Sequence, residues 1–201
     1  MGSAASSTVT QTERSTDPRA ERSRALLLTA TIRLVSERGT TDISLTELVR
    51  EAGVSRQVAY LHYADRDTLV IESALHLMRT ELTSATPTTS AREAVERVTA
   101  HFAAHRSFYR AIFTGPCCYA FTERMLTLLR PFTLLLVPHV DGQAQLDAAE
   151  FLAGGAGAII SRWVIDLDDA STPLQIADRI TAARQAIIAM PQAPPPDSSL
   201  S

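Results

Sequence analysis

Apolar residues in this chain recur three and four positions apart, and no stretch of strand length alternates apolar with polar side chains beside an Asn-Gly or Asp-Gly turn. That periodicity predicts an all-α fold. Leu27, Ala30, Leu34 and Val35 trace one face of a first helix, which stops at Gly39, a residue suited to the left-handed C′ position. Ser44 with Glu47 has the spacing of a capping box, in which each side chain satisfies an unpaired backbone N–H at a helix start, and Ser90 with Glu93 repeats it. Thr172, Pro173 and Gln175 combine an N-cap, a proline at the first helical position and a capping glutamine, so a last helix runs from there toward Met190. Residues 83–89, with Pro87, read as a linker between helices.

The chain has 201 residues, 45% of them apolar, enough for a substantial core in one large domain or two small ones. Its ends lack apolar period: residues 1–17 are rich in Ser and Thr and residues 191–201 hold four of the ten prolines, so both are expected to be disordered tails. A net charge of −3 excludes a polycation that coats nucleic acid by charge alone. The longest uncharged runs, among them 1–12 and 111–122, are 12 residues, short of the roughly 18 a membrane span needs. Two adjacent cysteines, Cys117 and Cys118, cannot build a disulfide framework, and the N-terminus lacks the pattern of a signal peptide. A cytoplasmic protein with no membrane partner is the expectation. All 19 basic residues are arginine, so every phosphate contact would be an arginine contact.

Residues 44–69 carry the most specific pattern. Leu45, Leu48, Val49 and Ala52 form the inner face of a short helix, Gly53 permits a tight turn, Val54 fills the angle, and Ser55 can cap a second short helix. This is helix-turn-helix spacing, although a glycine turn between helices also occurs in ordinary bundles. Arg56, Gln57, Tyr60 and His62 fall near the exposed side of the second helix. Arginine can donate two bonds to guanine and glutamine can pair with adenine in the major groove, while tyrosine and histidine more naturally reach phosphate. Ser44, Thr46 and Ser55 add hydroxyls at the two helix starts, and Arg66 adds a cation just beyond.

Residues 24–70 resemble the N-terminal DNA-binding domain of the TetR family of bacterial transcriptional regulators. The likeness rests on an apolar first helix ending in Glu-Arg-Gly, on Ser-Leu-Thr-Glu-Leu, on Ala-Gly-Val-Ser at the turn, and on a tyrosine, then His-Tyr, before an acidic-basic pair and a leucine. Three positions depart from the usual pattern: Ala59 for leucine, Tyr63 for phenylalanine and Arg66 for lysine. The resemblance implies a three-helix DNA-binding domain at 18–66 and a helical effector-binding and dimerisation domain at 67–190. It also implies a homodimer, a palindromic operator, a small-molecule effector and, most often in the family, repression. Arg66 would meet a phosphate at the start of the fourth helix, with a fork geometry unlike that of lysine.

Local charge agrees with this division. Residues 14–66 hold nine arginines against seven acids, whereas 67–201 hold ten against fourteen. Arg14, Arg19, Arg22 and Arg24 read either as a flexible arm toward DNA or as ordinary solvated charge.

In the larger part, Phe102, Tyr109, Phe113, Phe121, Met125 and Trp163 are the candidate ligand-binding residues, since aromatic and thioether side chains line such cavities; a plain core is the alternative. A long helix over 143–167 carries Phe151, Gly154, Gly155, Gly157 and Ala158, and the last helix carries Ile176, Ile180, Ala183 and Ile187. Glycine inside a helix costs about 1 kcal/mol relative to alanine, so the glycines point to a closely approaching helix, either across a two-fold axis or within the subunit. Phe151, Gly154, Gly155, Ala158, Ile176, Ile180, Ala183 and Ile187 are therefore the expected dimer interface. His101 and His105, four apart, could bind a metal with Cys117 or Cys118, but solvated or hydrogen-bonded histidines are commoner and no metal or cofactor is expected.

No Gly-rich phosphate loop, His-Glu-x-x-His or nucleophile motif is present, so an enzyme is not expected. The competing reading is a helical interaction or ligand-binding protein without DNA-binding activity, against which Arg56, Gln57, Tyr60 and His62 stand.

Overall fold

The computed structural model describes residues 18–83, 90–137 and 141–189. The two tails, Arg14 and most of the 83–89 linker lie outside them. Every regular element among the described residues is helical.

Helix α1 (Pro18–Arg38) buries Leu27, Leu28, Ala30, Thr31, Leu34 and Val35, the predicted face with Leu28 and Thr31 added, and stops at Gly39, whose φ of +64° is in the left-handed region. Arg19, Arg22 and Arg24 belong to this helix, which corrects the reading of these three as a flexible arm. α2 (Leu45–Ala52) starts with the expected capping box: the Glu47 N–H donates to Ser44 Oγ at 3.2 Å and the Ser44 N–H donates to Glu47 Oε2 at 3.1 Å. Ser44→Ala is expected to lower stability by about 1 kcal/mol. Urea denaturation checks this, with the midpoint falling and the slope unchanged.

Gly53, at φ +66°, turns the chain, and α3 (Arg56–His62) begins under Ser55, whose hydroxyl accepts the Val58 N–H at 3.3 Å. α4 (Arg66–Met78) is capped by Asp65 and buried along most of its length. It continues into a π-turn, Arg79–Thr83.

α5 (Ala91–Ala104), α6 (Arg106–Phe113), α7 (Cys118–Leu134), α8 (Gly142–Ile165) and α9 (Pro173–Ile188) complete the molecule. α9 begins with the predicted capping box of Thr172 and Gln175. Two sets of packings form one continuous core: α1 against α2, α4 and α6 in the N-terminal part, then α5 against α9 and α7 against α8. α6 joins them, packing on α1 with one side and α8 with the other, and its Phe108, Tyr109 and Ile112 are fully buried.

α8 is long and apolar enough by length and composition to cross a membrane, although charged residues interrupt it. Here it packs on α6, α7 and α9 as a bundle helix. Its C-terminal end is tied down by Arg106, which donates to the carbonyls of Trp163, Asp166 and Asp169 and lies 5.2 Å from the Trp163 ring centre.

Candidate nucleic-acid interface and apolar cavity

α3 is fastened by Ala59, fully buried, with Val58 and His62 half-buried, which leaves Arg56, Gln57, Tyr60 and Leu61 outward. Leu61 was not among the sequence candidates because it is apolar, yet it is 76% exposed. Its position four residues after Gln57 was the available signal. Such a side chain can contact a thymine methyl. The Arg56 Nη2 lies 3.5 Å from the Tyr60 hydroxyl, a loose contact that leaves the guanidinium fork available. Thr46 is exposed on the first turn of α2. Ser44 and Ser55 serve first as caps, and Ser44 also hydrogen-bonds the Glu47 carboxylate at 2.8 Å, so its proton is already donated.

Arg66 is held differently from what the resemblance implied. Its Nη1 donates to Asp42 at 2.8 Å and its Nε to Asp67 at 2.9 Å, which ties the start of α4 to the loop before α2. Two carboxylates thus occupy two of the five N–H donors of the guanidinium expected at a phosphate.

A cavity of about 60 Å³ lies among α5, α7, α8 and α9, walled almost wholly by apolar atoms. Phe102, Phe113 and Met125 line it, as the sequence led one to expect, together with Val98, Phe132 and Ile160, which it did not single out. Tyr109, Phe121 and Trp163 do not line it. Tyr109 and Phe121 are packed behind, with ring centres 4.5 Å from Phe102 to Tyr109 and 5.9 Å from Tyr109 to Phe121. Trp163 donates its indole N–H to the Ser171 carbonyl at 3.0 Å, beneath Arg106. These three are core residues.

The expected dimer residues divide. Phe151, Gly155, Ala183 and Ile187 line a groove between α8 and α9, while Gly154 and Ala158 line another between α8 and α7. Ile176 and Ile180 are corrected: at 0% and 4% exposure they are buried inside the subunit, Ile180 beneath the α8–α9 groove. A Cβ built on Gly154, Gly155 or Gly157 meets nothing within 4 Å, so no helix among the described residues explains the glycines.

His101 and His105 do come together with a third metal-capable group, but it is Glu81 of the π-turn and neither cysteine. Nothing in the sequence announced a π-turn there. Cys117 is buried at the α6–α7 turn beside Thr41, and burial pushes its thiol up, which disfavours the nucleophilic thiolate.

Residues 27–72 match the family described as bacterial regulatory proteins, tetR family. Over 53 residues the chain is 34% identical to the HTH-type transcriptional regulator BetI of Brucella anthropi, a match covering 26% of this chain and 27% of BetI. The chain thus spans about a quarter of the length of the curated relatives it matches. Among solved structures, the dihydroxyacetone kinase operon activator DhaS superposes with a TM-score of 0.61 at 14% identity, covering 83% of this chain and 96% of that one. NalD, the secondary repressor of the MexAB-OprM multidrug efflux pump in Pseudomonas aeruginosa, gives 0.55 at 16%, covering 84% and 96%. These likenesses extend the shared fold across the helical part as well. The sequence likeness to bacterial regulatory proteins of the tetR family is thus carried by residues 27–72, the helix-turn-helix part of the chain.

Proposed function

We propose that the protein is a dimeric transcriptional repressor, acting in the cytoplasm, that binds a palindromic operator through α3 and is modulated by a small apolar ligand. The observation that carries this reading is the outward face of α3, where Arg56, Gln57, Tyr60 and Leu61 stand exposed on a short, well-capped helix, with none of the described residues over them. That face combines a bidentate guanine reader, an adenine reader and an apolar contact for thymine. The open apolar groove with Phe151, Gly155, Ala183 and Ile187 supports pairing of two subunits, and a two-fold axis would present two α3 helices to half-sites about one helical turn, or a multiple of it, apart.

The cavity supports an apolar effector rather than a charged one. At about 60 Å³ it is far below the roughly 300–1,000 Å³ of drug-sized sites, so such a ligand must part the helices as it enters. α7 supplies the compliance: Pro131 inside it has no N–H to donate, and the turn it weakens carries the cavity residues Leu129 and Phe132.

A gel-shift series with fragments from the gene's own neighbourhood, followed by base-by-base substitution of the bound site, tests the reading. Arg56→Ala and Gln57→Ala are each expected to relax preference at one position per half-site, since a bidentate pair carries about 1–3 kcal/mol of discrimination. An unchanged site preference in both variants would sink the assignment of α3 as the reader.

A further inference from the structure

Outside the DNA-facing surface and the cavity, one group of three metal-capable side chains stands among the described residues. The π-turn ending α4 carries Glu81 onto α5, where His101 and His105 occupy one face four residues apart. Glu81 Oε2 is 2.7 Å from His101 Nδ1, and both its oxygens reach His105 Nε2, at 2.8 and 3.0 Å. One carboxylate thus collects two imidazoles. Burial alone would raise Glu81, but the bonds from His101 and His105 outweigh it and hold the carboxyl below its ordinary value. Burial pushes His101 down, against the pull of Glu81.

We propose that Glu81, His101 and His105 form a binding site for a divalent transition-metal ion of the zinc type, with water in the fourth position. Two imidazoles and one carboxylate are a common three-ligand zinc set with an open position, and a softer or harder ion is less suited to it. Ligand distances of about 2.0–2.2 Å around a tetrahedral ion put donor atoms roughly 3.3 Å apart. The donor atoms here all lie within 4.8 Å of one another, so small side-chain movements close the site. Access is open, since Glu81 and His105 are partly exposed while His101 forms the floor.

Tyr109 supplies the outer support. Its hydroxyl lies 2.7 Å from His101 Nε2, and burial, then the Glu81 charge, push the phenol well above its ordinary value, so it stays protonated. Without metal, His101 Nδ1–H donates to Glu81 and the Tyr109 O–H donates to Nε2. With metal on Nδ1, the imidazole proton sits on Nε2 and the same phenol oxygen accepts it. A hydroxyl fits both tautomers.

An ion here would fasten the end of α4 to α5. Its effect on operator affinity rests on the regulator reading; the binding site does not.

The test is calorimetric titration of the full chain, carrying no histidine tag, with Zn²⁺, and with Mg²⁺ as the hard-ion control. One Zn²⁺ per chain is expected, lost in Glu81→Gln and in His105→Ala, both surface changes whose folding circular dichroism verifies. Tyr109→Phe should weaken binding about 10- to 100-fold, and Cys118→Ser should leave it unchanged. The site is refuted if Zn²⁺ does not bind, if it binds Glu81→Gln and His105→Ala as tightly as the parent, or if Cys118→Ser abolishes binding. Cobalt substitution adds a check: a tetrahedral spectrum without a thiolate charge-transfer band supports the site, and such a band overturns it. Gel shifts with and without Zn²⁺ then report separately on coupling, because loss of DNA binding in both would count against the regulator reading and not against the metal.

Discussion

Ile180→Asp is expected to unfold the subunit, whereas Phe151→Asp and Gly155→Asp should leave it folded and separate the dimer. Ile180 is 4% exposed and borders the cavity, so aspartate there removes a packed side chain and buries an unpaired carboxylate. Truncating a buried isoleucine alone costs about 2–5 kcal/mol, and the stranded charge adds several more, against a total stability on the order of 5–15 kcal/mol. Phe151 is 68% exposed and Gly155 faces open space, so a charge at either is solvated in the isolated subunit and intolerable only against a second one. Sedimentation together with circular dichroism distinguishes the two cases. Helical monomers with weakened operator binding are expected for Phe151→Asp and Gly155→Asp. Intact dimers in both would rule out the α8–α9 groove as the interface.

The same residues show what the sequence could reveal. Ile176, Ile180, Ala183 and Ile187 are spaced four, three and four apart, an unbroken apolar seam, and a single partner is its simplest explanation. In the fold the seam changes cover halfway: Ile176 and Ile180 are buried inside the subunit, whereas Ala183 and Ile187 are open. Periodicity shows that a stripe wants to be covered and is silent about what covers it. The helix-turn-helix was legible for the opposite reason. Its caps at Ser44 and Ser55 and its left-handed Gly53 are local interactions within three or four residues, and they fix which side of α3 faces out. Glu81 was invisible because its meeting with His101 and His105 spans 20 and 24 residues and depends on a π-turn that no local preference signals. Aromatic composition found the cavity only in part, since Phe102 lines it while Tyr109, seven residues on, packs behind.

Gly115→Val is expected to lower operator affinity from a position remote from α3. The α6–α7 turn lies directly on the loop before α2: a Cβ at Gly115 would sit 2.5 Å from Thr41 Oγ1 and 2.8 Å from the Ala111 carbonyl oxygen. The first neighbour belongs to the DNA-binding unit, three residues before the Ser44 cap and one before Asp42, which Arg66 holds. Phe113, two residues before Gly115, lines the cavity. A ligand that displaces Phe113 therefore pushes on the same loop that positions α2 and α4. Overpacking of this kind costs about 1–3 kcal/mol, and if the strain is relieved by moving the loop, operator affinity falls by about 5- to 150-fold. Thr41→Ala removes the hydroxyl across the junction but leaves the Ala111 carbonyl in place. A double-mutant cycle between Gly115→Val and Thr41→Ala thus separates the part of the effect that crosses between the units from the part confined to the turn. An interaction energy near zero, or wild-type operator affinity in Gly115→Val at unchanged stability, would show that this junction does not carry the signal. A substantial interaction energy would make it the route by which a ligand in the cavity biases α3, and by reciprocity operator DNA would change ligand affinity by the same factor.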